Sequence, residues 1–276
     1  MREYYSLRVD VPVVRLPVLN AFPSTSWGFT LRAFSFAVSS FVYVLLQRFR
    51  LGRAGAVVYT IDLDQFSYFL LPLAGLPVFF EAHGGKRCSW ATRFFLKRVR
   101  GIIANSAGTR DALARAFGIP TWPSDVPDLR GRRMSVSERI IVEPNGVDLL
   151  QFATLPSRAE AKRRLDLPQD ERLALYVGRL YAWKGLGILA GAAQRLPDIT
   201  FILVGGSAEE LRVVTGLTAF PKNLRCVGGK PPQEIPLWLA AADVLLVLGT
   251  QANDYSWRET SPMKLFEYMA SRQPVV

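Results

Sequence analysis

The run Val57-Val-Tyr-Thr-Ile61 is continuously apolar or β-branched and ends in Asp62 and Asp64. A strand with unbroken hydrophobicity, rather than alternation, is the type buried on both faces of a parallel sheet, because crossover helices cover each face. The pattern recurs. Pro77-Val-Phe-Phe-Glu-Ala-His83 ends in Gly84-Gly85, Gly101-Ile-Ile-Ala-Asn-Ser106 leads into a helix to Phe117 stopped by Gly118, and Arg139-Ile-Ile-Val-Glu143 precedes the turn Pro144-Asn-Gly-Val-Asp148. Residues 149–171 are charged and helical, without a strand. A second series then opens: Leu173–Val177 ending in Gly178-Arg179, Ile199–Val204 ending in Gly205-Gly206, Leu224–Val227, and Val244–Leu248, with helical segments between. Two strand–helix series imply two doubly wound α/β domains with ligand chemistry at the C-terminal strand ends and a cleft between the halves. The expected organisation is residues 1–150, a linker at 151–171, and a second domain at 172–276.

A chain of 276 residues that is 50% hydrophobic can fill two cores. Its formal charge of +11 points to anionic partners. The excess is uneven: residues 1–150 hold 19 basic and 11 acidic side chains, a net of +8, against 15 and 12, a net of +3, in the remainder. The first half therefore faces the anion. Arg93, Lys97 and Arg100 recur at helical spacing within Ser89–Arg100, and Arg130, Arg132 and Arg133 cluster in a proline-rich loop; both could meet an anionic membrane surface. Nucleic acid is not expected, since no aromatic platform interleaves the basic residues. Cys88 and Cys226 are too few for a disulfide framework and fit a reducing, cytoplasmic location. The most lipid-like stretch, Ala33–Leu46, is shorter than the roughly 20 apolar residues that span a bilayer, which favours a helix buried against a sheet.

Two stretches carry chemistry. Val177-Gly-Arg-Leu-Tyr-Ala-Trp-Lys-Gly185 follows the first strand of the second series. Gly178 permits close backbone approach, Arg179 offers a planar fork, and Lys184 adds a point charge, a set suited to a diphosphate. The other is Glu259-Thr-Ser-Pro-Met-Lys-Leu-Phe-Glu267. Ser261 before Pro262 reads as a helix start with a capping hydroxyl, whose free N–H groups favour an anion. Glu259 and Glu267 then offer carboxylates to hydroxyls beside that anion. His83 is the only histidine, which leaves no His-based triad or multi-histidine metal site to build.

The two glutamates with seven residues between them, paired with Gly-Arg-Leu…Lys-Gly, resemble retaining glycosyltransferases of family 4 (glycosyl transferases group 1). Phe80-Glu-Ala-His83, Ile103-Ala-Asn-Ser106 and Pro144-Asn-Gly-Val-Asp148 extend the resemblance through the first half. It implies the GT-B fold: two Rossmann-like doubly wound domains facing across a cleft. It implies that Arg179 and Lys184 bind the donor diphosphate and stabilise the leaving charge without a required metal or other cofactor. It further implies that Glu259 contacts hydroxyls of the transferred sugar, that His83 reaches the donor sugar or its phosphate, and that Glu267 binds the ribose. Backbone N–H groups near Met263 and Lys264 would hold the diphosphate, and the loop at Val227 would lie beside the base. The implied reaction moves a sugar from a nucleoside diphosphate sugar to a saccharide or lipid-linked acceptor, as in cell-surface polysaccharide or glycolipid synthesis, in the cytoplasm or peripherally on the inner face of the membrane.

Members of that family usually begin with a strand and a glycine-rich loop that nothing here matches, and continue beyond the equivalent of Gln273-Pro-Val-Val276. Both domains are accordingly expected to be incomplete, with the chain truncated at each end. A catalytically silent binding or scaffold protein of the same fold is a second reading. A sugar-nucleotide epimerase is a third, against which the spacing of Glu259 and Glu267 speaks.

Overall fold

The computed structural model describes residues 11–22, 25–52, 56–62, 64, 66–119 and 140–276. The chain divides into two compact units, one built from Val13–Pro144 with Arg258–Ser261, the other from Asn145–Trp257 with Pro262–Val276.

The N-terminal unit opens with helix α1 (Ser26–Leu51), started by Thr25, whose hydroxyl accepts from the Gly28 amide at 3.0 Å. Strands β1 (Val58–Ile61), β2 (Val78–Ala82), β3 (Gly101–Ala104) and β4 (Ile140–Val142) pair in that order, all parallel. Helix α2 (Trp90–Leu96) is capped by Ser89, and α3 (Ala107–Phe117) by Ser106, with Gly118 left-handed at its end. The core joins Val78, Phe80 and Ala82 of β2 to Tyr68, Phe95 and Ile102, with the Tyr68 and Phe95 rings 4.4 Å apart between centroids. Each fully buried side chain of this size contributes about 1.5–3 kcal/mol.

Two expectations fail in this unit. Among the described residues β1 is an edge strand, not a two-sided buried one: Val57, Tyr59 and Ile61 are exposed, while Val58 and Thr60 turn toward the core. α1 does not bury its apolar bulk. Small residues, Gly28, Ala33, Ala37 and Ser40, face inward while Trp27, Phe34, Val38, Val42 and Leu46 stay exposed. By length and composition this helix could cross a membrane, with a mean hydropathy of 1.7. Between β1 and β2, residues 66–70 form turns that lead into a short 3₁₀ segment at Leu71–Ala74. The Arg130–Arg133 cluster lies outside the described residues.

The C-terminal unit begins before the expected boundary. Residues 151–171 are no linker: Phe152 and Ala161 enter the core, and α4 (Arg158–Arg164) is pinned through Asp243. The Asp243 carboxylate accepts from the Leu173 amide at 2.9 Å and pairs with Arg158 at 2.7 Å, and the buried Lys162 donates to the Glu171 carbonyl at 2.6 Å. Strands β5 (Arg172–Val177), β6 (Ile199–Val204), β7 (Leu224–Cys226) and β8 (Val244–Leu245) lie in the order β7-β6-β5-β8, all parallel. Helices α5 (Gly187–Arg195), α6 (Ala208–Thr215), α7 (Ile235–Ala241) and α8 (Met263–Ser271) complete the unit.

Residues of β5 alternate between two cores. Leu173, Leu175 and Val177 pack with Trp238, Leu239 and Tyr268 on one face, while Ala174 and Tyr176 pack with Leu186, Leu189 and Leu211 on the other. The strand order reverses between β5 and β8, so the switch point, where doubly wound sheets bind ligands, falls at the end of β5. There the Val177 amide donates to the buried Tyr268 hydroxyl at 2.8 Å, and Gly205 lies against the Gly178 carbonyl, 2.4 Å from where a Cβ would stand.

Two substitutions test this support. Tyr268→Phe strips the Val177 N–H of its acceptor and is expected to cost about 1–3 kcal/mol in urea unfolding. Gly205→Ala, at a φ of +130° that L side chains rarely adopt and with no room for a methyl, is expected to cost about 2–3 kcal/mol or more. Unchanged midpoints would show that the β5 end is not held this way.

Candidate functional site

At the C-terminal end of β5, Gly178 takes φ +141°, and its backbone turns the chain into Arg179. The following turn, Ala182–Lys184, ends on a left-handed Gly185 and folds Lys184 back so that Nζ donates to the Arg179 carbonyl at 3.1 Å. Tyr181 and Trp183 stack nearly parallel, and the Lys184 ammonium lies 4.9 Å and 5.3 Å from their ring centres. Burial, with the positive charge of Arg179 behind it, pushes the Lys184 amine below its usual range.

Helix α8 delivers the third cation. Lys264 Nζ sits 3.7 Å from the Tyr176 ring centre and 2.9 Å from where a Cβ on Gly178 would stand. Its amine is pushed down to about 7, by burial first and the charge of Lys184 second, against an opposing pull from Glu267. Burial raises the Glu267 carboxyl, and the attraction of Lys264 only partly offsets this. Thus Arg179 acts on Lys184 and Lys184 on Lys264, whose Nζ lies beside Gly178, with Glu267 the carboxylate that opposes the last shift. Such a concentration of positive charge at a switch point is suited to an anion with several oxygens.

Ser261 does not cap α8. The helix starts at Met263, with Pro262 in the cap position and no side-chain hydrogen bond there, because proline has no side-chain acceptor to offer. Ser261 is buried in the N-terminal unit instead, and Met263 is exposed. The Val227 amide donates to the Leu203 carbonyl at 3.0 Å as part of the sheet edge, next to Gly228 at φ +74°.

The remaining sequence-predicted residues lie in the N-terminal unit. His83 follows β2, and its Nε2 is 2.6 Å from Glu81 Oε1. The Tyr59 hydroxyl bonds the other Glu81 oxygen. Burial alone would raise the Glu81 carboxyl; the hydrogen bonds from Tyr59 and His83 outweigh it and hold the carboxyl below its usual range, while the Tyr59 phenol is pushed up to about 12. Glu259 closes a π-helical turn, Tyr255–Glu259. Its Oε2 accepts from the Gly85 amide at 2.6 Å, and its carbonyl accepts from the Ser106 and Thr109 hydroxyls at 2.6 and 2.9 Å. Asp62 pairs with Lys86, and Asp64 accepts from the amides of Phe66 and Ser67.

Sequence reasoning gave no role to Glu81, Tyr59, Tyr176 or the Lys264 side chain. Glu81 was within reach, since residues two apart on a strand share a face, which sets it beside His83. Lys264 had no such signal: a lysine in the first turn of a helix reads as solvated.

Residues 157–276 match the family model described as "Glycosyl transferases group 1". Along its whole length the chain is 25% identical to the Bacillus subtilis glycosyltransferase TuaC, named for teichuronic acid biosynthesis, over 285 residues that take in 65% of that protein. Over 122 residues, 40% of the chain, it is 35% identical to D-inositol 3-phosphate glycosyltransferase of Xylanimonas cellulosilytica, covering 29% of that protein. In structure it is similar to Anabaena HepE, crystallised with UDP-glucose, with a TM-score of 0.60 and 21% identity over 86% of this chain and 62% of that one. The chain spans less than two thirds of the length of each of these relatives. The match to the glycosyl transferases group 1 thus lies in residues 157–276, on a chain whose fold is that of the GT-B glycosyltransferases.

Proposed function

We propose that the chain is the nucleotide-sugar-binding body of a retaining glycosyltransferase, which moves a sugar from a nucleoside diphosphate to a saccharide or lipid-linked acceptor. The observation that carries this reading is Lys184 folded back onto the Arg179 carbonyl just after the Gly178 turn, within reach of the Arg179 charge. Charge develops on the diphosphate as the glycosidic bond breaks, and fixed cations stabilise that charge without reorganising. Arg179 supplies a planar fork to two oxygens and Lys184 a point charge, which serves the role a metal ion plays in other transferases. Glu267, one turn beyond Lys264, is assigned to the ribose hydroxyls. Met263 and Lys264 offer backbone N–H groups at the start of α8. Val227 is assigned to the loop beside the base.

Glu259 is assigned to hydroxyls of the transferred sugar. One of its oxygens is held by the Gly85 amide, while Oε1 accepts no hydrogen bond among the described residues. His83, oriented by Glu81 through Nε2, has Nδ1 left to accept from a donor hydroxyl. The acceptor is assigned to the N-terminal unit, whose basic residues favour an anionic membrane surface, and the reaction to the cytoplasmic side. Because HepE has been crystallised with UDP and UDP-glucose, uridine nucleotides are the first donors to try.

Calorimetric titration with UDP, GDP and ADP is expected to show binding of at least one, and a folded sample that binds none of them sinks the assignment. In a donor screen read by nucleotide release, Arg179→Ala is expected to lose about 100-fold or more in kcat, and Glu259→Ala to lose kcat more than affinity. Glu81→Ala is expected to lower kcat/KM about 10- to 100-fold by freeing the His83 ring; activity equal to the parent would remove His83 from the site.

A further inference from the structure

Lys264 is placed as few lysines are. Its Nζ lies over the Tyr176 ring and fills the space that a side chain at position 178 would need. Among the described residues it makes no ion pair: Glu267 attracts it from one turn along α8 without closing to contact, Lys184 repels it, and Arg179 stands behind Lys184. Toward β5 its ammonium meets the Tyr176 ring. The Tyr176 hydroxyl is itself wholly buried, has no hydrogen-bond partner, and lies 3.6 Å from where a Gly178 Cβ would be. A half-buried amine with no ion pair among the described residues and a buried phenol with no hydrogen-bond partner flank one glycine turn.

We propose that the Lys264 side chain, and not only its backbone N–H, is a ligand of the donor's diphosphate, contacting its oxygens at the Gly178 turn alongside Lys184. This rests on the nucleotide-sugar reading above and assigns a third cation to that site. The diphosphate supplies the counter-charge that the fold withholds, and Gly178 is required because any side chain there would displace Nζ. A consequence follows for protons. With its amine near 7 in the empty site, Lys264 is largely neutral at about pH 8 and takes up a proton from solvent when the anion arrives.

The test is calorimetric titration of the 276-residue chain with UDP-glucose, GDP-mannose and ADP-glucose, whose phosphodiesters do not titrate in this range. Each titration is run in buffers of different ionisation enthalpy at about pH 6 and about pH 8. Binding is expected to take up about one proton per nucleotide sugar at the higher pH and close to none at the lower. Lys264→Met is expected to abolish the uptake and weaken binding about 10- to 100-fold, whereas Lys264→Arg, charged throughout, binds with no uptake at either pH. Undiminished affinity in a folded Lys264→Met overturns the role of Lys264 and leaves the nucleotide-sugar reading standing. Failure of every nucleotide sugar to bind overturns both. Where Lys264→Met does not fold, Lys264→Gln takes its place, with the same loss of affinity expected and undiminished affinity overturning the role.

Discussion

Like charges crowded at one turn are the constraint on which the C-terminal unit depends. Arg179 raises the cost of ionising Lys184 and Lys184 that of Lys264, and Glu267 compensates only in part. A fold that accepts such a penalty in its empty state must hold the groups rigidly, or they would drift apart into water. Rigidity comes from below. β5 is buried on both faces, its last amide is fixed by Tyr268, and the next strand's terminal glycine is wedged against Gly178. Functional geometry and core packing meet in a single residue step, from Val177 to Gly178.

The N-terminal unit follows a different logic. Its polar residues at the strand ends are satisfied in pairs: Glu81 with His83 and Tyr59, Asp62 with Lys86, Asp64 with the backbone ahead of it. Orientation is gained where the other unit stores unbalanced charge. A histidine whose Nε2 is fixed by a carboxylate presents one defined nitrogen, which suits it to recognising a hydroxyl rather than neutralising a phosphate.

Much of this was legible in the chain. Continuous apolar runs marked the strands of both sheets, and glycines marked the C-terminal ends of several, because parallel packing demands the first and sharp turning the second. What failed did so for physical reasons. β1 carries the composition of an interior strand but lies at an edge, a property of its neighbours and not of its own residues. Residues 151–171 look solvated because Arg158 and Lys162 are charged, yet Asp243, some eighty residues on, turns those charges into anchors. Ser261 had the right identity for a cap and the wrong backbone position, the helix starting after Pro262. The side chain of Lys264 was invisible to periodicity, since its role depends on the glycine it faces across the sheet end.

The grip on residues 258–261 has a bearing on how such chains exchange parts. Gly108 leaves only 1.7 Å between a would-be Cβ and the Arg258 carbonyl, and the Ser106 and Thr109 hydroxyls clasp the next carbonyl along. Four residues encoded deep within the C-terminal sequence are thus structural property of the N-terminal unit. A chimaera cut at the obvious place, near Asn145, would pair a foreign Glu259 loop with a helix start not shaped to receive it. Recombination between relatives must respect this tie or re-evolve it, and a graft that carries the four residues with the first half preserves the seat of Glu259.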